Sequence, residues 1–446
     1  MQIIQPIPTS ETMILYPIFL QHPIICTDSR VCPSGSIFFA LKGENFNANS
    51  FALSALEKGC ACAVVDDAAF AIDDRFIFVD NVLESLQELA TYHRIQTGTT
   101  IIGITGTNGK TTTKELIAAV LKEKFNILFT QGNLNNHIGV PLTLLQLKPE
   151  HQLAIIEMGA NHPGEIRKLC QMARPDYGII TNVGKAHLEG FGSLEGVMKT
   201  KAELYESISA TGQLIFINSG NPLLEQMATD SGLKIQEKKL EYSLELKDTQ
   251  TAYRAEITGC SPFLQIKCTV KESDSFEIDT QLIGSYNAEN VLAAVTIGSY
   301  FGVPNEQIKK GLENYLPQNN RSQLTVTEHN KLVVDTYNAN PTSMQAAILN
   351  FAQMEVEQKT LILGDMLELG DQSIEEHQNI VNLLQQNSFK NVLLVGRDFG
   401  KTQNPFLNFE NVSGLIDYIN ENPLKNNYIL IKGSRVIKLE KVLNRL

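Results

Sequence analysis

A chain of 446 residues, 43% of them hydrophobic, can bury several cores, and its length suggests about three domains. A net charge of −12 argues against a nucleic-acid-binding face and fits an enzyme whose anionic ligands are held locally by backbone amides, lysines and metal. Glycine and proline are present in ordinary amounts, so no long disordered tail is expected.

The first apolar run, Met13 to Leu20, is broken by Pro17 and is too short to span a bilayer. No basic segment precedes it, so neither stable membrane insertion nor secretion is expected. Seven cysteines are scattered along the chain, an odd count that reads as reduced thiols in a cytoplasmic protein. Cys60 and Cys62, with a single residue between them, suit neither a zinc site nor a redox pair.

Three blocks follow one another. Residues 1–96 read as short strands and helices that close in the polar stretch His93–Thr99. Residues 97–318 open with the apolar strand Thr100–Thr105 and continue with a strand Leu153–Met158, a helix from near Pro163 and a strand Gly178–Asn182. Between Leu233 and Ile278 alternation predicts antiparallel strands, an appendage to this block. After the turn-rich run Pro317–Gln323, residues 319–446 alternate strands Leu332–Asp335, Thr360–Leu363, Val392–Val395 and Tyr428–Ile431 with helical patterns. One of these helices, begun at Pro341, sets Met344, Ala347, Ile348 and Phe351 on a single core stripe. Strands alternating with helices predict an α/β protein with parallel sheets covered on both faces.

The sharpest local signal is T-G-T-N-G-K-T-T, Thr105 to Thr112. An apolar strand enters it, and a helix leaves it with Leu116, Ile117, Val120 and Leu121 on one buried stripe. Gly106 and Gly109 let the backbone turn so that N–H groups converge on an anion, aided by the helix dipole. Lys110 then reaches the β- and γ-phosphates of ATP, and the Thr111 hydroxyl is placed for Mg2+. Ile104 stands where the usual phosphate-loop pattern wants glycine, so this is a variant loop. Glu157, ending the strand A-I-I-E, can emerge at the carboxyl edge of a sheet as an Mg2+ ligand, or cap the Asn161–Pro163 turn. His187 follows the next strand and reads from its position alone as more structural than ligating.

With these residues stand T-D-S-R (Thr27–Arg30), G-N-L-N-N-H-I-G-V-P (Gly132–Pro141), E-M-G-A-N (Glu157–Asn161), T-N-V-G-K-A-H (Thr181–His187) and K-A-E-L (Lys201–Leu204). N-A-E-N (Asn287–Asn290), D-T-Y-N-A-N-P (Asp335–Pro341), L-G-D-M-L-E-L-G (Leu363–Gly370) and K-G-S-R (Lys432–Arg435) complete the set. In this order, over nearly the whole chain, they resemble the Mur ligase family.

The resemblance implies a small N-terminal α/β domain for a UDP-linked substrate, a central parallel-sheet domain of P-loop type for ATP, and a C-terminal Rossmann-like domain. It implies an ATP-dependent ligase that makes an amide bond through an acyl phosphate. G-N-L-N-N, Y-N-A-N-P and L-G-D-M-L-E-L-G point within the family to UDP-N-acetylmuramoyl-tripeptide and D-alanyl-D-alanine as substrates, with ATP and Mg2+ as cofactors. The Asp-Asn-Pro-Arg type of motif, which marks ligases adding the third amino acid, is absent from the sequence.

Carried over residue by residue, Ser29, Arg30, Asn133, Asn135 and Asn136 would bind substrate. Gly106, Thr107, Asn108, Gly109, Lys110, Thr111 and Thr112 would cradle the ATP phosphates, and Asn287 and Asn290 would line the adenine pocket. Arg321 and Asp335, flanking the entry to the third domain, would reach the nucleotide on domain closure. Thr111, Glu157, His187 and a carbamylated Lys201 would hold Mg2+, with Lys110, Lys201 and His187 as the catalytic set. A monomer is expected.

Plainer readings stand beside these. Ser29 and Arg30 could be a cap and a surface cation, Lys432 and Arg435 solvated charges, Asp335 a cap for the helix at Pro341, and Lys201 a solvated helix lysine like Lys199. Two positions depart from the family. Asn47, Ala48 and Asn49 occupy the place of Asp-Gly-His, so the uridine contact of that histidine is not carried over, and Val334 replaces a first aspartate before Asp335.

Overall fold

The structure is a computed structural model that describes residues 9–230, 238–244, 251–271, 274–318 and 320–446. It divides into two compact units: Met1–Gly103 with Phe125–Gly159 and Glu165–Tyr177, and Ile104–Lys124 with Ala160–Gly164 and Gly178–Leu446.

The first unit carries a four-stranded parallel sheet in the order Ile25–Cys26, Ile37–Phe39, Cys62–Val65, Phe76–Phe78. Its two central strands are buried at every residue, as parallel strands covered on both faces are. The helix Val82–Thr97 starts where the Asn81 side chain accepts the N–H groups of Leu83 and Glu84, and it ends at Gly98 in the left-handed region (φ 64°). The polar stretch His93–Thr99 is largely the last turn of this helix. Its first two residues are polar but buried: the His93 ring meets the Leu147 carbonyl at 2.9 Å, and Arg94 reaches Asp176 at 3.0 Å. The parallel pair Ile127–Phe129 and Leu153–Glu157 belongs to the same unit.

In the second unit the helix Lys110–Leu121 buries its stripe completely, Leu116, Ile117, Val120 and Leu121 each being 0% exposed. It packs on the apolar helix Ala288–Tyr300, and the contact is close enough that a Cβ on Gly298 would run into Val120. The predicted antiparallel appendage is corrected at its first strand. Lys239–Ser243 pairs in parallel with Leu214–Asn218 and with Tyr253–Cys260. The helix Pro222–Asp230 lies in the connection between the first two of these strands, where a parallel crossover needs its length. Among the described residues of this appendage, Tyr253–Cys260, Phe263–Val270 and Asp274–Ile283 form antiparallel ladders. Residues 233–237, 245–250 and 272–273 of that expectation lie outside the described residues, as does 319 in the Pro317–Gln323 run.

A six-stranded sheet has the order Gln323–Val326, Lys331–Asp335, Tyr428–Lys432, Lys359–Gly364, Asn391–Val395, Leu407–Phe409, parallel except for its first pair. Period-2 alternation feeds two cores. Leu361 and Leu363 face Met344, Ile348, Phe351 and Ile380, while Ile362 faces Leu415, Ile419 and Val442 on the other side. The strands Lys331–Asp335 and Lys359–Gly364 follow one another in sequence but flank Tyr428–Lys432, so Asp335, Lys432 and Gly364 share one carboxyl edge. Ligands of such sheets bind at that edge. Among the described residues no helix is long and apolar enough to cross a membrane.

Candidate active site

The loop Thr105–Thr112 turns on two glycines in the positive-φ region, Gly106 (φ 147°) and Gly109 (φ 76°). A Cβ on Gly106 would run into the Thr181 hydroxyl, so the turn admits glycine alone. The neighbouring segment clamps the loop. Thr107 and Asn108 donate their N–H groups to the backbone and side-chain oxygens of Asn182 (both 2.9 Å), and the Thr181 hydroxyl donates to Asn108 O (2.6 Å). The amides of Thr107 and Asn108 thus hold the loop's shape. The helix that follows starts at Lys110, so Lys110, Thr111 and Thr112 form its first turn, whose N–H groups lie outside the intrahelical ladder. Lys110 Nζ lies over the loop, donating to Gly106 O (2.8 Å) and Thr107 O (3.1 Å). Thr111 is buried beneath it.

Asn290 joins this loop to the helix behind it. Its Oδ1 accepts from the Thr113 hydroxyl (2.9 Å), its Nδ2 donates to Asn287 Oδ1 (2.9 Å), and Asn287 Nδ2 donates to Ile283 O (2.8 Å). Both asparagines are buried, and the bonds they make tie the two helices together.

The loop also meets the segment Asp335–Pro341. Asn340 Nδ2 donates to Asn108 Oδ1 (2.8 Å), while Asn340 Oδ1 caps the helix Pro341–Gln353 through Ser343 N (2.9 Å). Asn340, and not Asp335, is therefore the cap of that helix. Asp335 instead pairs with Lys432 Nζ at 2.6 Å, and Lys432 is only 2% exposed, which excludes the reading of a solvated charge. The guanidinium of Arg321 stacks 3.6 Å from the Tyr337 ring centroid, with the exposed Arg435 5.8 Å away on the same ring.

Removing the amine while keeping the bulk, as in Lys432→Met, leaves the Asp335 carboxylate facing an apolar chain. We expect a loss of about 3 kcal/mol in chemical denaturation, the scale for breaking a buried ion pair. An unchanged midpoint would show that the pair is solvated in solution.

His187 sits in the left-handed region (φ 50°) at the head of the short helix Leu188–Phe191. Its Nδ1 pairs with the Glu368 carboxylate, and that imidazole holds Glu368 below the usual carboxylate range. Glu189 N–H donates to Glu368 O (3.2 Å), and Lys185 Nζ bonds Glu376 Oε1 (2.6 Å). Sequence reasoning missed Glu368 and Glu376 as partners. The L-G-D-M-L-E-L-G motif contains Glu368, but nothing local says which histidine it meets. Lys201, in the helix Leu194–Thr211, is 2% exposed with its Nζ 5.6 Å from the Phe191 ring, whereas Lys199 is exposed. Lys201 is not a solvated helix lysine.

Asp365, His377 and Asp398 also converge. The Met366 N–H donates to His377 Nε2 (3.0 Å), which places the ring proton on Nδ1, facing Ser373 O (2.6 Å). Both ring nitrogens are thus spent on shaping the turn after Gly364.

In the first unit Glu157 is 1% exposed at the end of its strand, and its Oε1 accepts from Asn135 Nδ2 (2.8 Å). Asn136 Oδ1 accepts from Ile138 N and Gly139 N at the start of the helix Gly139–Leu144, and Asn133 is exposed. Of the three predicted substrate asparagines, Asn135 holds Glu157, while Asn133 and Asn136 are both exposed. In the T-D-S-R loop Arg30 is exposed and forked onto Asp28 (2.9 and 2.7 Å), drawing that carboxyl down to about 2, and the Ser29 carbonyl accepts from Lys58. Asn49 is fully buried and exchanges hydrogen bonds with Asp66 (2.7 and 3.1 Å).

Residues 104–298 match the family model for the Mur ligase middle domain, and residues 320–435 match that for the Mur ligase, glutamate ligase domain. The chain is 33% identical over 444 residues to the UDP-N-acetylmuramoyl-tripeptide–D-alanyl-D-alanine ligase of Bacillus subtilis (strain 168), covering 95% of this chain and 92% of that one. It is 33% identical to the enzyme of the same name from Escherichia coli (strain K12), covering 95% and 93%. A crystal structure of MurF from Acinetobacter baumannii superposes with a TM-score of 0.81 at 30% identity, covering 94% of this chain and 92% of that one. MurF ligase from Thermotoga maritima, solved in complex with ADP, shares the fold with a TM-score of 0.82 at 24% identity, over 96% and 97% of the two chains.

Proposed function

Since the chain belongs to the Mur ligase family, we propose that it joins D-alanyl-D-alanine to UDP-N-acetylmuramoyl-tripeptide at the expense of ATP, in peptidoglycan precursor synthesis. The observation that carries this reading is the likeness to relatives of that name over 95% of the chain.

A carboxylate does not acylate an amine in water, because its oxygen is a poor leaving group. Attack of the tripeptide carboxylate on the γ-phosphorus of ATP gives an acyl phosphate and ADP. The amine of D-alanyl-D-alanine then adds to the acyl carbon, and the tetrahedral adduct collapses to amide and phosphate. Lys110 and the amides of Lys110, Thr111 and Thr112 offset charge on the transferring phosphoryl group. Asn108, bonded to Asn340, couples the loop's shape to the Asp335–Pro341 segment, which with Arg321 would report nucleotide to the third domain.

Taken each by itself, Thr111 is a buried hydroxyl and Glu157 a buried carboxylate, oxygen donors of the kind Mg2+ takes. His187, oriented by Glu368, would add a nitrogen, and Lys201 would add oxygens only as a carbamate. Mg2+ supplies charge neutralisation of the phosphate oxygens when bound. Asn287 and Asn290 would border the adenine pocket, and Ser29, Arg30, Asn133, Asn135 and Asn136 would hold the UDP-linked substrate. The three domains span 1–96, 97–318 and 319–446. The enzyme would act as a monomer in the cytoplasm, where cell-wall precursors for cell shape and division are made.

The test is phosphate release from ATP. It should require UDP-muramoyl-tripeptide and D-alanyl-D-alanine together. A diamino acid with the UDP-muramoyl-dipeptide should not replace them, and release with that pair alone would refute the substrate assignment while leaving the chemistry.

A further inference from the structure

Three cysteines distant in sequence meet in the first unit: the sulfurs of Cys26, Cys32 and Cys60 all lie within 4.8 Å of one another. Cys26 and Cys60 are 5% and 6% exposed, and Cys32 is half-buried against the same core. Backbone bonds set this convergence. Cys60 N–H donates to Ala55 O (3.1 Å), Gly35 N–H to Gly59 O (2.7 Å) and Ala61 N–H to Ser36 O (2.8 Å). They bring the turn after the helix Ala52–Glu57 against the segment that follows Cys32. The sulfurs also face polar atoms. Cys26 Sγ lies 3.2 Å from Val31 O, Cys32 Sγ 3.5 Å from Ser29 O and Cys60 Sγ 3.2 Å from Ser36 Oγ.

We propose that Cys26, Cys32 and Cys60 form a thiolate site for a thiophilic divalent cation of the zinc class, at the root of the T-D-S-R loop. Zinc bonds each thiolate at about 2.3 Å, which sets tetrahedral sulfur ligands about 3.8 Å apart. The observed spread within 4.8 Å reaches this by a contraction of at most about 1 Å. The fourth position falls to water or to the Ser36 hydroxyl beside Cys60. A hard cation such as Mg2+ is not the occupant, since it takes oxygen ligands. Binding releases up to three thiol protons to solvent, one for each sulfur that ligates. Cys26 and Cys32 bracket residues 27–31, so the ion pins both ends of the loop that carries Ser29 and Arg30. The site was hidden in the sequence because no two of its members share a short metal-binding spacing. Cys62, two residues beyond Cys60, is not part of it.

The reduced full-length chain, titrated with Zn2+ against a competing chelator, should bind one equivalent with proton release. Cys26→Ser, Cys32→Ser and Cys60→Ser should each bind at least about a hundredfold more weakly, beyond the roughly 10–100-fold cost of losing an outer partner. Cys170→Ala, whose sulfur faces Met158, should bind like the parent. Co2+ added to the unmutated chain should give a strong thiolate-to-metal charge-transfer band, a readout that needs no variant to fold. Absence of that band, Zn2+ binding that survives all three substitutions, or a disulfide between two of the three in chain purified without reductant would each overturn the site.

Discussion

Replacing Lys110 with alanine should lower turnover at least about a hundredfold, because one preorganised charge at a transferring group is typically worth several kcal/mol. The side chain rests on the loop carbonyls of Gly106 and Thr107 and contributes nothing to the apolar stripe of its helix, which is made by Leu116, Ile117, Val120 and Leu121. Thermal unfolding should therefore stay close to that of the parent. The loop itself is held from the other side, by Asn182 and Thr181, so losing the lysine does not collapse it. Near-normal turnover by a folded Lys110→Ala enzyme would remove the ATP site from this loop.

The larger effect is expected at Lys201. An ammonium beside Mg2+ is repelled, so this residue can be a ligand only after its neutral amine has reacted with CO2 to form a carbamate, an oxygen pair suited to the ion. Its burial, at 2% exposure on a helix whose Lys199 is exposed, separates it from an ordinary surface lysine. Lys201→Ala should be nearly inactive and partly rescued by acetate or another short carboxylate, while Lys199→Ala should be nearly silent. Rescue is the readout that a packing role would not produce. Normal turnover in Lys201→Ala, or equal damage from both substitutions without rescue, would count against the carbamate.

The elements most legible in the sequence were those whose signal is local. Thr100–Thr105 is a strand over the predicted span, and the stripe in Lys110–Leu121 is buried throughout, because apolar periodicity and turn glycines act within a few residues. The helix from Pro341 was readable for the same reason, although its cap proved to be Asn340. Pairing was not legible. Lys239–Ser243 alternates like an antiparallel strand, yet a helix before it carries the chain over to a parallel partner. Within the candidate site the motif residues could be named, but their partners could not. That Asn182 would take the amides of Thr107 and Asn108, that Glu368 would hold His187, and that Lys432 would be buried against Asp335 depend on contacts between segments far apart in the chain.

The central claim is that the carboxylate is activated by the γ-phosphoryl group before the amine attacks. Isotopic oxygen in the terminal carboxylate of the UDP-linked tripeptide tests it directly. In the presence of ATP and D-alanyl-D-alanine, mass spectrometry of the products should find one labelled oxygen in the inorganic phosphate and the other in the new amide. Unlabelled phosphate, released while the amide forms, would contradict an acyl phosphate and the account built on it.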